Sequence, residues 1–516
     1  MILVCLFTVN SKAENTDTPS FKIYKAKKDS SISKPFTLMQ SFKRNCTPNG
    51  LVFIADGLII TAQKKDFHSI KTFFQPHFEK TYDSYTQYAP LAAAFALKAL
   101  GVKNTSTWKR MTLNSTLSYV TMATLVNSIK YSSKEMRPDH TTANSFPSGH
   151  TATAFAAATI FNKEYGSISP WYSVAGYSVA TLTGITRIMN NRHWINDVLV
   201  GAGIGIVSAD LGYMLGDWIL KGKGIQNQPK NEIPDISENG SFFSMTVGSG
   251  IGPTHLNSPN VFDSYNADMT PSGNPLRLLL KTCRSSSVNI ESAYFINKYI
   301  GFGGRLKAST LPVIVGNFNH KFAYTVPLIS TSYIPSDAYK LEGLESSHLG
   351  MIDMSLGFYG SIPVGTRLRL GTKFLFGNRL TTNYSVDAIF SFNTLKDRQK
   401  NYGEVLDNIL QANRGSLCNI SKDKYNPQLY HDNDFLQIKA NNSFSFGTGL
   451  YITYAIKNQT AFMISFDYDC ANPKYTFVLH NRYNESGGNV SLIDDSFQRR
   501  TLMNNMSLNL GMSVCL

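Results

Sequence analysis

Three short segments, KYSSKEMRP at 130–138, PSGH at 147–150 and TRIMNNRHWIND at 186–197, are the most informative part of this chain of 516 residues. They contain cations, histidines and carboxylates, the groups from which a phosphate pocket is built. Each segment alone could arise by chance, but their order, spacing and confinement to one region of predicted helices make coincidence improbable. The sequence therefore predicts a functional site within 130–197.

Three basic residues of these segments suit phosphoryl transfer, in which negative charge spreads over equatorial oxygens and needs fixed positive donors. The guanidinium groups of Arg137 and Arg187 each match two phosphate oxygens, and the Lys130 ammonium can reach a third. Lys130 and Arg137 are seven residues apart, so a helix ending at Pro138 would project both from one face. Two solvated cations at a helix end are the alternative for this pair alone.

The segment 147–150 precedes the Ala- and Thr-rich run 151–160, which predicts a tight turn that leads into a helix N-terminus. Free backbone amides at such a position bind anions. Gly149 would let the backbone approach a phosphate closely, and the Ser148 hydroxyl would add a donor. His150 is the candidate general acid for the leaving oxygen. An ordinary capped helix with a solvent-facing histidine is the alternative.

His193 precedes Asp197 by four residues, so on one helix their side chains would lie on the same face. A carboxylate there fixes the imidazole tautomer and leaves the other ring nitrogen free to attack phosphorus, which makes His193 the candidate nucleophile. Arg187 would lie off this face on a continuous helix, but Asn190 and Asn191 indicate a turn that could bring it back. A surface contact is the alternative for an isolated His/Asp pair.

The three segments together resemble the signature of the type 2 phosphatidic acid phosphatase and vanadium haloperoxidase superfamily. That signature is Lys, six residues, Arg-Pro; then Pro-Ser-Gly-His; then Ser-Arg, five residues, His, three residues, Asp. Thr186 stands here in place of the usual serine and keeps a hydroxyl. By resemblance, phosphate is bound by Lys130, Arg137, Ser148, Gly149, His150 and Arg187, while the catalytic residues are His193, His150 and Asp197.

The resemblance implies a phosphatase that uses no metal or cofactor and forms a phosphohistidine, or a haloperoxidase that holds vanadate in the same pocket. We favour the phosphatase because the helical region is compact and the chain shows no second large helical module of the haloperoxidase kind. An inactive pocket is a weaker alternative, since no signature residue is missing.

The helices predicted around these motifs number six, as in the family bundle. They lie near 50–62, 85–101, 111–130, 149–163, 170–188 and 196–220. Several contain long uncharged stretches that are rich in Ser, Thr, Gly and Ala. Hydropathy alone therefore leaves a membrane-spanning bundle and a water-soluble bundle equally supported.

After a polar linker, KGKGIQNQPKNEIPDISENG at 221–240, the pattern changes from helical to short alternating strands. The terminal run alternates Met506, Leu508, Leu510, Met512, Val514 and Leu516 with small or polar residues. Residues 241–516 thus resemble an antiparallel transmembrane β-barrel of the bacterial outer membrane, with roughly 8 to 12 strands. A soluble β-sandwich or lipocalin-like barrel is the alternative.

The predicted organisation has five parts. They are a signal peptide at 1–13, a polar segment at 14–49, a helical phosphatase-type domain at 50–222, a linker at 223–240 and a barrel at 241–516. A frayed hydrophobic terminus is the alternative to the signal peptide. The cysteines that would remain after cleavage, Cys46, Cys283, Cys418, Cys470 and Cys515, show no metal-type spacing, so we expect no zinc site and no disulfide framework.

The charge balance, 49 basic against 35 acidic residues for a net charge of +14, favours acidic partners. Phosphorylated lipids at a membrane would satisfy it, whereas no recognised nucleic-acid module is present. We therefore expect a phosphatase of lipid A, undecaprenyl diphosphate, phosphatidic acid or another phosphomonoester, in the bacterial outer membrane with its catalytic domain in the periplasm, or in the inner membrane. The alternative is a pore or adhesin with an accessory helical module.

Overall fold

The computed structural model describes most of the helical region and most of the barrel. The described residues are 36–227, 235–251, 254–257, 261–262, 275–276, 279–282, 285–315, 339–346, 348–392, 420–423, 429–457, 460–486 and 489–515. The predicted signal peptide at 1–13 lies outside them. Two described cysteines, Cys470 and Cys515, are free thiols.

The described part of the helical region contains nine α-helices. They are α1 Leu38–Asn45, α2 Asn49–Ile60, α3 Lys64–Phe74, α4 Asp83–Thr86, α5 Ala89–Ala99, α6 Trp108–Ser133, α7 Gly149–Phe161, α8 Pro170–Met189 and α9 Ile195–Ile219. The six predicted helices correspond to α2 and α5 to α9, but the count of six is not confirmed. The additional helices α1, α3 and α4 are short and carry no long apolar run by which the sequence could reveal them.

Helix α9 lies at the centre of the bundle and packs against α2, α6 and α7. A Cβ atom on Gly203 would stand 2.5 Å from the Gly50 carbonyl oxygen, so α2 and α9 approach as closely as they do because glycine faces backbone. Within the described residues, α9 is the helix that is long and apolar enough to cross a membrane, and most of it is buried inside the structure.

The bundle brings the ends of four helices together. Helices α6 and α8 end, and α7 and α9 begin, at the same end of the bundle, where Ser148 donates its backbone N–H to the Asp197 carbonyl over 3.0 Å. The three signature segments occupy these helix ends. Helix geometry thus gathers residues that are far apart in sequence into one place.

The second half of the chain consists of strands. They are β1 Phe242–Gly250, β2 Thr254–Asn257, β3 Val261–Phe262, β4 Pro275–Leu276, β5 Leu279–Thr282, β6 Ser286–Phe295, β7 Ile300–Leu311, β8 Val313–Val315, β9 Tyr339–Ser346, β10 Leu349–Val364, β11 Leu368–Thr381, β12 Tyr384–Phe392, β13 Ile420–Lys422, β14 Leu429–Ala440, β15 Ser443–Lys457, β16 Thr460–Ala471, β17 Lys474–Ser486, β18 Asn489–Arg500 and β19 Met503–Cys515.

Eight of the described strands close an antiparallel barrel in the order β1-β19-β16-β15-β11-β10-β7-β6. The first and last strands pair directly, with Phe242 opposite Cys515. A further sheet, β18-β17-β14-β12-β9 with β13 on β14, is formed by the connections between barrel strands. The predicted antiparallel barrel is confirmed, and its strand number lies at the lower limit of the expected range.

The barrel is apolar outside, and its interior holds buried charged side chains together with an apolar cluster that includes Tyr359, Leu375 and Met463. Leu356, Phe358 and Leu450 are about 60% exposed on the outer wall, whereas Lys373 is fully buried in the lumen. This alternation is the reverse of that in a soluble barrel with an apolar core and is typical of outer-membrane barrels.

Ion pairs fill the middle of the lumen. They are Arg305–Asp467 at 3.0 Å, Lys307–Asp469 at 2.8 Å, Lys373–Glu291 at 2.7 Å and Arg379–Asp353 at 2.8 Å. All of these side chains are at most 3% exposed. Each charge therefore has an opposite partner, as burial of charged groups requires.

The bundle packs sideways against the outer wall of the barrel, where α2 and α8 contact β19 and α3 contacts β7 and β10. The contact is apolar, with Phe53 and Tyr177 from the bundle against Met512 and Val514 from the wall. Val514 is only 2% exposed, in contrast to the open wall elsewhere. The bundle thus covers one side of the apolar wall.

Candidate active site

The first signature segment spans a helix end and a loop. Helix α6 ends at Ser133 and Lys134 takes a left-handed conformation with φ of 46°. The prediction that one helix carries both Lys130 and Arg137 is therefore wrong, because the left-handed residue turns the chain before Arg137. Burial lowers the pKa of Lys130 to about 8, and the nearby positive charge of Arg137 lowers it further, so the two cations nevertheless lie close together.

The loop at 134–148 is fixed against the start of α9. The backbone N–H of Ser145 donates to the Glu135 carbonyl over 2.9 Å, and the Ser145 hydroxyl donates to Oδ2 of Asp197. The Ser148 N–H donates to the backbone carbonyl of the same aspartate. These bonds hold the second signature segment beside the third.

The PSGH segment forms the predicted turn into a helix. Helix α7 begins at Gly149 with Ser148 as its N-cap, and the Ser148 hydroxyl oxygen accepts a hydrogen bond from the Thr151 hydroxyl over 2.9 Å. The first amides of α7 have no partner within the helix, as at every helix N-terminus. His150, on the first turn, is partly buried at this end. The predicted turn into a helix N-terminus is thus confirmed, and its anion binding stays a prediction.

The third segment differs from its predicted form. Helix α8 ends at Met189, Asn191 has φ of 62°, and α9 begins only at Ile195, so His193 lies in a loop. The prediction of one helix carrying both His193 and Asp197 is wrong, but the contact between them exists. His193 Nδ1 lies 3.5 Å from Oδ2 of Asp197.

Asp197 is held at the third position of α9, where its Oδ2 accepts the Trp194 backbone N–H over 2.9 Å. This contact belongs to the cap of the helix and aligns the carboxylate with the N-terminus. Because the imidazole of His193 presents Nδ1 to the carboxylate, Nε2 is the nitrogen left for chemistry. Both side chains are buried, at 2% and 0% exposure.

Burial lowers the pKa of His193 to about 4, with Arg187 and Lys130 lowering it further and Asp197 opposing them. Burial also lowers the pKa of His150 to about 4, and Arg187, His193 and Arg137 act in the same direction. Both imidazoles are therefore neutral near pH 7. A neutral imidazole is the form that can act as a nucleophile.

Several buried polar atoms of this pocket have no hydrogen-bond partner. They are Nε of Arg137, Nε of Arg187, Nδ1 of His193 and Oδ1 of Asp197. Buried polar atoms are nearly always paired in native proteins. Two of these four atoms are guanidinium nitrogens, and a bound oxyanion would be a suitable hydrogen-bond partner for them.

Asp83, on the short helix α4, was missed by the sequence analysis. Its Oδ2 accepts a hydrogen bond from Nη1 of Arg187 over 2.7 Å, and both side chains are buried. The neighbouring Tyr82 hydroxyl lies 3.1 Å from the Thr186 hydroxyl. A single aspartate more than a hundred residues from its partner leaves no spacing signal by which the sequence could reveal it.

Helix α3 was also missed, and it supports the loop that carries His193. His68 Nε2 lies 2.6 Å from Oδ1 of Asn191. Lys64 forms an ion pair with Glu135 and lies over the Trp194 ring. Across the described ranges no three His, Cys, Asp or Glu side chains are grouped so that they could hold a metal ion.

Comparison with known proteins agrees with the signature segments. Residues 112–219 match the family model of the PAP2 superfamily. The resemblance predicted from the motifs is thereby confirmed for this part of the chain.

A lipid A 1-phosphatase from Porphyromonas gingivalis is 38% identical over 228 residues, which are 44% of this chain and 50% of the relative. The chain thus spans half the length of that curated relative. Among solved structures, a PAP2-type phosphatidylglycerolphosphate phosphatase from Bacillus subtilis is 20% identical over 32% of this chain and 94% of its own, with a TM-score of 0.25. The outer membrane protein OprG from Pseudomonas aeruginosa is 8% identical over 55% of this chain and 97% of its own, with a TM-score of 0.27.

Proposed function

We propose that this protein is a phosphatase that removes phosphate from a lipid through a phosphohistidine on His193. The observation that carries the proposal is the buried, neutral His193 whose Nδ1 lies 3.5 Å from Oδ2 of Asp197, at a helix end that also gathers three cations. A nucleophile, its orienting carboxylate and the donors for a phosphoryl group thus share one pocket.

In the proposed reaction, Nε2 of His193 attacks phosphorus while the bond from phosphorus to the leaving oxygen breaks. His150 gives its proton to that oxygen. Water then attacks the phosphohistidine, His150 accepts a proton from the water, the phosphorus–nitrogen bond breaks and phosphate leaves. Asp197 stabilises the positive imidazole ring of the intermediate, because the carboxylate faces Nδ1.

The phosphate would be held by the residues that the signature predicts. They are Lys130, Arg137, Ser148, Gly149 and Arg187. Negative charge on a bound phosphate offsets the positive charges of Arg187 and Arg137, so the pKa of His150 rises when substrate binds. The substrate itself thus helps His150 to carry the proton that the leaving group needs.

The substrate class follows from the relative and from the barrel. The curated relative is a lipid A 1-phosphatase, and the outer wall of the barrel is apolar. We therefore propose a phosphorylated membrane lipid, with lipid A first and undecaprenyl diphosphate or phosphatidic acid as further candidates. We further propose that the helical phosphatase-type domain spans 50–222, the linker 223–240 and the barrel 241–516.

We place the barrel in the outer membrane as the anchor of the enzyme. The paired charges that fill its lumen, such as Lys373 with Glu291 at 2.7 Å, argue against an open pore as the main function. The anchor would keep the pocket beside its lipid substrate.

Phosphate release by the detergent-purified full chain, with a chelator and no added metal, tests the proposal. The panel contains lipid A, undecaprenyl diphosphate, phosphatidic acid and a soluble phosphomonoester. We expect release by the parent and none by His193→Ala. His431→Ala is the matched control, because His431 also pairs with an aspartate, Asp423 at 2.7 Å, outside the pocket. We expect this control to keep full activity.

Release that persists in His193→Ala would contradict the mechanism. Absence of release from every substrate would contradict the phosphatase. In that case, halide oxidation with added vanadate and hydrogen peroxide would test the haloperoxidase alternative.

A further inference from the structure

The two ends of the barrel differ in the length of their connections. At one end, neighbouring strands are joined by residues 296–299, 365–367 and 458–459. At the other end, the connections are 251–285, 312–348, 382–442 and 472–502. In bacterial outer-membrane barrels the short turns face the periplasm and the longer loops face the exterior. The connections thus give the barrel a direction.

The chain enters the barrel at the end with the short turns. The Ile236 N–H donates to the Thr366 carbonyl over 2.8 Å, and Ile236 packs against Ala455, Ala461 and Cys515. From this end β1 runs towards the long connections. In the bundle, α9 begins at the pocket and ends at Ile219, at the opposite end of the bundle.

Helix α8 and strand β1 run in the same direction along their contact. Tyr177 lies with Phe243 around a small apolar cavity, and one turn later the Thr181 hydroxyl lies 3.2 Å from Met245 Sδ. Beyond this point α8 continues to Arg187 in the pocket, while β1 continues to Gly250 at the long-connection end. The pocket therefore lies towards the long connections.

The distances agree with this direction. From Thr181 to Arg187 a helix rises about 9 Å, at about 1.5 Å per residue. From Met245 to Gly250 a strand rises about 17 Å, or about 13 Å along the barrel axis after a tilt of roughly 40°. Measured along each element from their contact, Arg187 thus lies about 9 Å and Gly250 about 13 Å further on in the same direction.

Helix α3 connects the long-connection end directly to the pocket. Asp66 lies 3.1 Å from His348, which immediately precedes β10, and Ile70 packs on Gly350. On the pocket side, the same helix holds Asn191 through His68 at 2.6 Å. One short helix therefore contacts both the barrel end and the loop that carries the candidate nucleophile.

Exposed aromatic side chains mark two levels of the bundle. Near the pocket they are Tyr82, Tyr85 and Tyr131, and at the opposite helix ends they are Trp108, Trp171 and Trp218. Tyrosine and tryptophan are enriched at both membrane–water interfaces. The bundle therefore carries the features of a body that lies beside the barrel in the same membrane, with the pocket at the level of one interface.

We infer that the catalytic pocket opens on the side of the long barrel connections, which is the cell exterior, and that its substrate is a phosphorylated lipid of the outer leaflet. The choice of substrate rests on the proposed phosphatase function, whereas the side of the pocket does not. The inference differs from the periplasmic position that the sequence analysis favoured.

Cysteine labelling on intact diderm cells tests the side of the pocket. The full chain is expressed with its native cysteines replaced by serine, and with either Ala143→Cys or Lys223→Cys. Ala143 is exposed on the loop beside the pocket, and Lys223 is exposed beyond α9 at the opposite end. A membrane-impermeant maleimide should label Ala143→Cys on intact cells and Lys223→Cys only after the outer membrane is permeabilised.

The reverse pattern, labelling of both variants on intact cells or labelling of neither would overturn the inference. Heat-modifiable migration of each variant on a gel confirms that the barrel is folded. The labelling needs no activity, so it is separate from the test of the phosphatase. Hydrolysis of a membrane-impermeant phosphomonoester by intact cells, compared between the parent and His193→Ala, then shows whether the external pocket is active.

Discussion

Gly201 of helix α9 sets the position of the turn that begins α7. A Cβ atom at Gly201 would stand 2.6 Å from the Ser148 carbonyl oxygen. Ordinary contacts of this kind start at 3.4 Å, so Gly201→Ala requires a separation larger by 3.4 − 2.6 = 0.8 Å. The movement therefore shifts the turn that carries Ser148 and Gly149 relative to the start of α9, where Asp197 lies.

A displacement of this size is large for catalysis. Misplacement by about 1 Å can cost roughly 100-fold in rate, since the donors no longer meet the oxygens on which charge develops. We therefore expect Gly201→Ala to lower kcat by about 100-fold, while the protein stays folded with at most about 1–3 kcal/mol lost to overpacking. The assay is phosphate release at saturating substrate, together with the unfolding midpoint in detergent.

Gly212→Ala is the matched control on the same helix. A Cβ there would meet the Ser118 hydroxyl oxygen at 2.2 Å, a more severe contact that lies far from the pocket. We expect this control to lose more stability than Gly201→Ala and to keep the kcat of its folded fraction. Equal kcat values for the parent and Gly201→Ala would refute the reasoning. An equal loss of kcat in Gly201→Ala and Gly212→Ala would refute it as well.

Two further predictions concern the charges of the pocket. Asp83→Asn removes the buried carboxylate that holds Arg187 at 2.7 Å, and we expect kcat/KM for phosphate release to fall about 10- to 100-fold because a buried charged hydrogen bond contributes roughly 1.5–3 kcal/mol. Asp139→Asn breaks a more exposed pair, so a fall of less than about 5-fold is expected, and equal effects would contradict a role for Asp83. In pH profiles, kcat/KM should fall as the pH drops through about 4, where His193 gains a proton. On the alkaline side, kcat should fall as His150 loses its proton, at a pH above 4 because bound phosphate raises the pKa of His150. This alkaline fall should disappear in His150→Ala. An unchanged alkaline fall in that variant would exclude His150 as the general acid.

The structure brings the candidate site residues together on a backbone that differs from the predicted one. The motifs pointed to Lys130, Arg137 and His193 as candidates because the chemistry demands particular side chains at fixed spacings. The helix predicted near 111–130 ends close to the observed end of α6 at Ser133, but the turn at Lys134 was not predictable, since residues 134–137 contain no Gly or Pro and Lys134 itself takes the left-handed conformation. The assumption that one regular helix spans both Lys130 and Arg137 therefore predicted the wrong relative position for these two residues.

Partners distant in sequence were also beyond prediction. The pairing of Asp83 with Arg187 depends on how α4 packs against α8, and α4 spans only four residues. Similarly, the contact of α3 with the barrel depends on Ile70 and Gly350, which lie 280 residues apart in the sequence. Neither contact produces a periodic pattern within one segment.

The alternation of the strands was sufficient to predict the barrel, because a closed sheet with one apolar face has a simple period of two. The place where the bundle packs was not predictable from the same pattern. An apolar residue such as Val514 satisfies the alternation equally well whether lipid or Tyr177 covers it. The contact with the bundle therefore emerges only from the structure.

The covalent step on His193 is the central claim, and trapping of the intermediate tests it most directly. Lipid substrate that carries radioactive phosphate is mixed with the enzyme, the reaction is quenched in alkali within the first turnover, and protein-bound label is mapped to a peptide. We predict label on the peptide that contains His193 in the parent, and neither label nor phosphate release in His193→Ala. Phosphate release at the parent rate by His193→Ala, or label on another residue, would contradict the account.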